Sequence, residues 1–374
     1  MALNLSRNSR LFFTTNVNTS TGVVATSGFL NSNTFEIQVL DGFTFSQNTN
    51  SETVTLNEAG ATPVRGQRSF NTSLAPVDFS FSTYVRPEHA TNVIAEESVL
   101  WAALTNNTIN NAGGFSTSGT ATSSISLANS NVNTLPKCGL IVIVDTVTYV
   151  IDNCAMNQVT VDFAIDQIAT LQWSGFGAAM RQLTTTVGAA SGTLTGGATG
   201  SYKVKDTDAD YITNKLSTAT LVGTTPTVTS RTIPITGGSL VYNNNITYLT
   251  PNNLAIVNTP ITYFTGVRSI TGTLTAYLRT GGTDTGDMLN SMLNATSNTE
   301  TNFSVVVDIG GSGSSTRVTL SMPTCSVQIP TVDIQQVVST SIGFTAQSSA
   351  AGTAGSAYDI ANANELVITY ATVA

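Results

Sequence analysis

The carboxylates that could do chemistry stand closest together in the segment Asp206-Thr207-Asp208-Ala209-Asp210. Alternate carboxylates can converge on Ca2+ because that ion takes several oxygen ligands. The pattern of a calcium loop fails further on, since Tyr211 stands in place of the turn glycine and Ser217 in place of the bidentate glutamate. We therefore interpret the triplet as a solvated acidic turn, with a calcium site as the alternative.

Other motifs that could support catalysis are incomplete. His89 is the sole histidine, and we interpret it as an exposed polar residue in a loop. Residues 114–118 lack the final glycine of a nucleophile elbow, and residues 175–180 end in Met where a dinucleotide-binding loop needs a small residue. We predict no catalytic, cofactor-binding or metal-binding residue, no cofactor, and a protein that is not an enzyme. A hydrolase or lyase would need a carboxylate pair in a cleft, and the sequence indicates none.

Cysteine and tryptophan point to packing. Cys138, Cys154 and Cys325 are odd in number and have no CxxC spacing, which favours buried free thiols over a disulfide framework or a zinc site. Trp101 and Trp173 have no basic neighbours with which to form a platform for nucleic-acid bases, so we expect them in a core or an interface.

The composition predicts a mostly β chain that lives in an assembly. Of the 374 residues only 10% are charged, and Thr, Ser, Asn and Gly replace the usual Lys and Glu, which suits short strands and turns. Few charges are a solubility risk for a free monomer. A net charge of −8 argues against tight nucleic-acid binding, and there is no apolar run long enough for a membrane anchor or a secretion signal.

An internal repeat organises these elements. Residues 80–86 correspond to residues 273–279 as half-buried strands, and residues 99–104 correspond to residues 288–293 as short amphipathic helices. Acidic Glu96, Glu97 and Asp287 lie early in these helical segments, where the helix dipole favours negative charge. The same elements in the same order predict two copies of one domain.

Further matches follow in the same order. Residues 142–145 correspond to residues 305–308, residues 147–154 to residues 318–325 including a cysteine, and residues 165–168 to residues 334–337. We predict an N-terminal arm at 1–29, a first domain at 30–222, a linker at 223–227 and a second domain at 228–374. The start of each copy is the weakest match: residues 41–45 agree with residues 237–241 only in pattern. Ser/Thr-rich tracts at 111–134 and 185–201 are interpreted as loops or edge extensions.

Three segments of the first copy, residues 65–70, 76–87 and 97–104, resemble a phage major tail tube protein. The resemblance implies two tandem tail-tube-like β-sandwich or β-barrel domains, each with a short flanking α-helix. It also implies a subunit that forms trimeric rings of pseudo-sixfold symmetry, which stack into a tube with other phage tail proteins. Genome DNA would pass through the lumen without specific binding. The protein would lie in the virion tail and be assembled in the cytoplasm of the bacterial host.

The alternative is a virion decoration, baseplate or receptor-binding β-sandwich protein. An adhesive site would cluster exposed aromatic and polar groups in one copy, whereas a tube needs its ring-forming elements in both copies. The repeat therefore favours the tube.

Overall fold

The computed structural model describes residues 9–54, 66–88, 94–109, 116–118, 122–127, 135–144, 147–183, 187–189, 193–194, 211–225, 228–249, 260, 262–281, 284–294, 302–311, 316–334, 337–348 and 365–372. These residues confirm the mostly β class, with two helices among them. The elements of the first part are β1 Ser9–Thr14, β2 Thr34–Ile37, β3 Thr44–Val54, β4 Arg68–Tyr84, β5 Pro87–Glu88, β6 Ile94–Ala95, α1 Ser98–Thr105, β7 Ser116–Ser118, β8 Thr122–Ser126, β9 Cys138–Val144, β10 Val147–Ala164, β11 Thr170–Gly177, β12 Ala179–Leu183, β13 Val187–Ala189 and β14 Thr193–Leu194. The later elements are β15 Thr218–Thr225, β16 Val228–Asn243, β17 Ile246–Leu249, β18 Thr262–Thr265, β19 Ser269–Tyr277, α2 Thr285–Leu293, β20 Asn302–Ile309, β21 Arg317–Val327, β22 Thr331–Asp333, β23 Ser339–Ala346 and β24 Val367–Ala371.

The strands of the first half close around a core. Strand β4 pairs with β11, which pairs with β10, then β9, β1 and β2, while β3 returns to pair with β4. Strand β10 serves two layers because bulges at Ile151/Cys154 and Met156/Gln158 bend it. Phe81 and Trp173 are opposite each other on β4 and β11, and both are buried in this core.

The second half has the same pairing order. Strand β19 pairs with β23, then β21, β20, β15 and β16, and β16 returns to β19, closing six strands into a barrel. Its counterparts to the first half are β15 for β1, β16 for β2 and β3, β19 for β4, β20 for β9, β21 with β22 for β10, and β23 for β11. Bulges recur too: the ladder shifts between Met322 and Cys325, as it does between Ile151 and Cys154.

Strand register corrects three of the sequence matches. Leu140 is opposite Ile151 in the first half, and Val305 is opposite Met322 in the second, so Val305 corresponds to Leu140 and not to Val142. At the start of the copies, Phe45 corresponds to Leu240, one residue from the predicted match. The third correction is at β22, where Ile334 corresponds to Phe163 and not to Ile165. Alternating apolar residues make the strands of the first and third matches look alike after a shift of two, which keeps every side chain on its face. The shift of one at Phe45 falls on the weakest sequence match.

Several elements cross the predicted domain boundaries. Strand β1 lies in the predicted N-terminal arm and pairs with β2 and β9. Strand β15 contains residues 223–225 of the predicted linker and pairs with β16 and β20, whereas residues 226–227 lie outside the described residues. From the first Ser/Thr-rich tract, β7 and β8 extend the second half, because β8 pairs with β24. The boundaries themselves stay a prediction.

Both predicted helices are present, but only the second is amphipathic. All eight residues of α1 are buried, whereas α2 buries Thr285, Met288 and Met292 and exposes Leu293. The two helices therefore differ in their surroundings although they occupy the same place in the strand order.

Candidate assembly interface

One sheet runs through both halves of the chain, and we call it the spanning sheet. Its strand order is β3, β4, β11, β10, β16, β19, β23 and β22, each antiparallel to its neighbour. Four strands come from each half. The spanning sheet is therefore continuous across the junction where β10 meets β16.

The junction is formed by the second part of β10. Residues 158–164 pair with residues 237–243 of β16, and Val161 and Phe163 on β10 are almost completely buried, at 1% and 3% exposure. A Cβ atom on Gly238 would lie 2.8 Å from the Phe163 ring, so glycine is needed there for the close approach. The junction thus combines a full backbone ladder with a fitted aromatic side chain.

The two ends of the spanning sheet lack such a partner in the described residues. At one end β3 pairs with β4 alone, and at the other β22 pairs with β23 alone. The register against β23 makes Val332 the counterpart of Val161, and two residues further Ile334 is the counterpart of Phe163. Val332 is 38% exposed and Ile334 is 82% exposed. The same two positions are therefore buried at the junction and open at the free edge.

A second contact reinforces the junction. The hairpin of β17 and β18 extends β16 and folds over the first half, where Tyr248 stacks edge-on against Phe176 at 6.2 Å. The Tyr248 hydroxyl donates to the Asn153 carbonyl oxygen at 2.7 Å, and the Tyr263 hydroxyl donates to that of Leu135 at 3.1 Å. Burial raises the pKa of both phenols well above the ordinary range, so they remain donors. This hairpin ties the second half to the bulged part of β10.

The face of the spanning sheet that points away from the core is polar and acidic. Thr, Ser, Gln and Gly dominate it, and where β4 lies beside β11 its charged residues in the described strands are Asp78, Asp162 and Asp333. Glu52 and Arg68 lie on the same face, on the extension of β3 and β4 beyond β11. Asp162 and Asp333 occupy corresponding positions, since Asp162 is opposite Thr170 and Asp333 is opposite Ser339. A carboxylate therefore recurs at the same place in both halves.

A buried polar cluster joins α1 to the C-terminal strand. The Trp101 indole N–H donates to the Tyr370 hydroxyl at 3.0 Å, and the Tyr370 hydroxyl donates to Glu97 Oε1. Burial of Glu97 raises the pKa of its carboxyl to about 8, against the opposing effect of the Tyr370 hydrogen bond. Glu97 is therefore not the charged partner of the helix dipole that the sequence suggested, and its second carboxyl oxygen has no hydrogen-bond partner among the described residues.

The predicted chemical residues fall into two groups. His89 and the Asp206–Asp210 triplet lie outside the described residues, so their interpretation stays a prediction. Cys138, Cys154 and Cys325 are buried free thiols, as expected, and burial raises the pKa of Cys138 and Cys325 to about 12. Within the described ranges, no three His, Cys, Asp or Glu side chains come together as a possible metal site.

The tryptophans are core residues, in agreement with the sequence prediction. Trp101 and Trp173 are buried, and their rings meet edge to face with centroids 5.0 Å apart. The Trp173 indole N–H donates to the Thr83 hydroxyl at 2.9 Å. What sequence reasoning missed is the junction between β10 and β16, because strand pairing across two copies leaves no local signal in a Thr-rich chain.

These features define a structural β protein whose main surfaces are a polar sheet face and two open sheet edges. No family model matches the chain. It is 32% identical over 359 residues to "Tail tube protein pb6" of Escherichia phage T5, an alignment that covers 92% of this chain and 73% of that protein. The chain belongs to the phage tail tube protein family. In the described residues no helix is long and apolar enough to cross a membrane.

Proposed function

We propose that three copies of this chain close into a ring, that rings stack into the tail tube, and that phage DNA passes through the lumen during ejection. The protein acts as a structural subunit of the virion tail and not as an enzyme. In this proposal the chain consists of two copies of one domain. The matching strand-pairing order and the matching bulges of the two halves support the duplication. The observation that carries the proposal is the junction between β10 and β16.

The junction supplies a template for the contact between chains. At the free end of the spanning sheet, β22 corresponds to the part of β10 that pairs with β16. At the other end, β3 corresponds to β16, with Phe45 in the place of Leu240. When β22 of one chain pairs with β3 of the next, Val332 and Ile334 become buried as Val161 and Phe163 are. Each open edge then has a partner, which removes the hazard of an unpaired strand.

Three chains fit the repeat. Each contributes two domains and eight strands of the spanning sheet, so a ring has six domains and about 24 strands. At a strand spacing of about 4.8 Å the backbone circle has a circumference of about 115 Å and a diameter of about 37 Å before strand tilt widens it. Such a barrel is too wide for its side chains to fill, and it leaves an open channel along the axis.

The polar face of the spanning sheet lines that channel in this arrangement. Asp162 and Asp333 then form a ring of six carboxylates, and Asp78 adds three more. Apart from Arg68 on the extension of β3 and β4, the described part of this lining has no cation. That suits passage of DNA, because each ion pair between a basic side chain and a phosphate would hold the moving duplex. Assembly takes place in the host cytoplasm, together with other tail proteins.

The test is the mass and shape of the assembly. Native mass measurement should give three chains per ring, and averaged images should show six similar lobes with threefold differences at the loops. Changing Val332 and Ile334 together to Asp should leave a folded monomer, since two carboxylates would have to be buried at the closing edge. Val267→Asp is the matched control, because Val267 is 87% exposed and lies away from that edge.

Six chains per ring would contradict the proposal. So would a wild-type protein that stays monomeric, or rings that form as well with both aspartates as without them.

A further inference from the structure

A short segment before β15 covers one rim of the first half. Residues 211–217, which we call the covering segment, lie against the turn between β10 and β11. Thr213 forms an isolated antiparallel bridge with Ile168, and the Ala169 N–H donates to the Ile212 carbonyl oxygen at 3.0 Å. Backbone contacts therefore hold the covering segment on this turn.

The covering segment also shields the end of β4. The rings of Tyr211 and Tyr84 meet edge to face with centroids 5.4 Å apart, and the Arg86 guanidinium lies over the Tyr211 ring at 4.6 Å. Arg86 is only 4% exposed. Tyr211 is therefore part of what keeps this arginine from water.

The second half has a matching rim. The Val85 N–H donates to the Ala169 carbonyl oxygen at 3.1 Å, and the Leu278 N–H donates to that of Val338 at 2.9 Å. These two hydrogen bonds occupy the same place, one where β4 meets β11 and the other where β19 meets β23. The neighbouring residues of the two rims can therefore be compared one by one.

The neighbours of Leu278 and Val338 are more exposed than their counterparts in the first half. These residues, which we call the open rim, are Tyr277, Arg279 and Val337, counterparts of Tyr84, Arg86 and, counted back from β23, Ile168. Tyr277 is 52% exposed and Val337 is 61% exposed. No described segment does for the open rim what the covering segment does for the first half.

Strand register identifies the counterpart of the covering segment. Leu221 on β15 is opposite Val305 on β20. Phe13 on β1 is opposite Leu140 on β9, which is the counterpart of Val305. Leu221 therefore corresponds to Phe13, and counting back along the chain makes residues 3–9 the counterpart of residues 211–217. We call residues 3–8, which lie outside the described residues, the leading segment.

The leading segment has side chains that suit the open rim. In the covering segment, Tyr211 and Thr213 contact the rim of the first half. At the same two places the leading segment has Leu3 and Leu5, both apolar. The pairs expected from this correspondence are Leu3 with Tyr277 and Leu5 with Val337. Each pair covers apolar surface that an isolated chain leaves open to water.

The end of the leading segment also fits. Arg7 takes the place of Lys215, so the positive charge is kept. Asn8 takes the place of Leu216, whose φ of 65° lies in the left-handed region. Asparagine adopts that conformation more readily than leucine. The residues before β1 are thus compatible with the backbone path of the covering segment.

The leading segment is too short to reach the open rim of its own chain. It enters β1, which pairs with β2, and β2 continues into β3 at one end of the spanning sheet. Val337 lies just before β23, near the other end. Six strand spacings of about 4.8 Å place β23 about 29 Å from β3. Residues 3–8 extend about 20 Å at most.

We propose that the leading segment of one chain lies across the open rim of its neighbour in the same ring, as the covering segment lies on the first half of its own chain. This contact rests on the proposed ring, because it needs β22 of one chain beside β3 of the next. Each chain then gives one leading segment and receives another.

Cross-linking tests the contact in assembled protein. Leu5→Cys combined with Val337→Cys places one thiol on each surface, while the three native cysteines are buried. A short bis-maleimide should join neighbouring chains, so a denaturing gel should show bands of two and three chains. The ladder should end at three because the ring closes. Neither single-cysteine variant should give these bands.

Charged variants cover the case in which the cysteines disturb assembly. Leu5→Lys and Val337→Asp should each raise the protein concentration at half-assembly at least several-fold, because each sets a charge against an apolar partner. Together they should recover most of that loss, since the two charges then pair. Leu5→Lys with Val267→Asp is the matched control and should recover nothing, because Val267 is 87% exposed and has no place in the contact.

The outcomes separate this contact from the ring itself. Rings that give no cross-linked bands, or cross-links within single chains alone, overturn the contact and leave the ring standing. Bands larger than three chains place the contact between rings and also overturn it. Recovery by the control pair as good as by the matched pair contradicts a direct contact. A wild-type chain that stays monomeric overturns both proposals.

Discussion

Replacing Glu97 by Gln should make the protein more stable than the wild type, by an amount that grows as the pH rises. Glu97 is buried between α1 and β24, accepts a hydrogen bond from Tyr370, and lies close enough to Glu96 for that negative charge to raise its pKa further. Burial raises the pKa of its carboxyl from 4.5 to about 8, so the folded protein holds a proton at neutral pH that the unfolded chain releases. Glutamine keeps the shape and the acceptor oxygen but has no proton to lose.

The magnitude follows from proton linkage. The pKa of Glu97 is higher in the folded protein than in the unfolded chain. The contribution of Glu97 to the free energy of unfolding is therefore fully present below pH 4.5 and declines as the pH rises toward 8. The decline is about 1.4 kcal/mol per pH unit and on the order of 4 kcal/mol over the window. The free energy of unfolding of the variant should exceed that of the wild type by a margin that grows by this amount over the window. Near pH 4.5 the two free energies should agree within about 1 kcal/mol.

Urea unfolding at three pH values between about 5 and 8 measures this difference directly. All other titrating groups are common to both proteins, so they cancel. Glu96→Gln is the control, since Glu96 forms an ion pair with Arg86 at 2.7 Å and its loss should destabilise the fold. Parallel pH profiles for the wild type and Glu97→Gln would show that Glu97 is ionised in the folded state and refute the reasoning.

Three further outcomes are expected. Gly272→Ala should cost about 1–3 kcal/mol in urea unfolding because a Cβ atom there meets the Phe344 ring, while Gly66→Ala, with open space around it, should be neutral. Filter binding should detect no strong association with duplex DNA at low salt, and submicromolar binding in physiological salt would count against an acidic lining. Thermal melts with excess Ca2+ and with chelator should coincide, and a shift of many degrees would contradict the expectation that the protein needs no metal.

Sequence reasoning identified elements better than it identified their partners. The strands around residues 80–86 and 273–279 and both helices were predictable because alternation and helical spacing are local signals. The burial of Glu97 was not, because its surroundings include Tyr370 from the far end of the chain. The free edge at Val332 and Ile334 was equally unpredictable from sequence. The exposure of these side chains depends on whether β22 has a neighbouring strand and not on the residue types themselves.

The family relationship fixes the class of protein, whereas the register explains how two copies can differ without losing the fold. In the first half Phe79 on β4 lies against Gly175 on β11, and in the second Gly272 on β19 lies against Phe344 on β23. The phenylalanine and the glycine have exchanged strands, so the same volume is filled by a phenyl ring from the opposite strand. Such an exchange needs both positions to change together within one copy.

Fusion of the two copies also changes the energetics of ring closure. In the proposed ring, three of the six lateral junctions are intramolecular, as between β10 and β16, and their partners meet at the high effective concentration set by the connecting chain. Only the three contacts between β22 and β3 carry the entropic cost of bringing separate chains together. The intramolecular junction can therefore form on folding, with Phe163 buried at once, while Ile334 stays exposed until a second chain arrives. Ring assembly should consequently depend steeply on protein concentration, although folding of each chain should not.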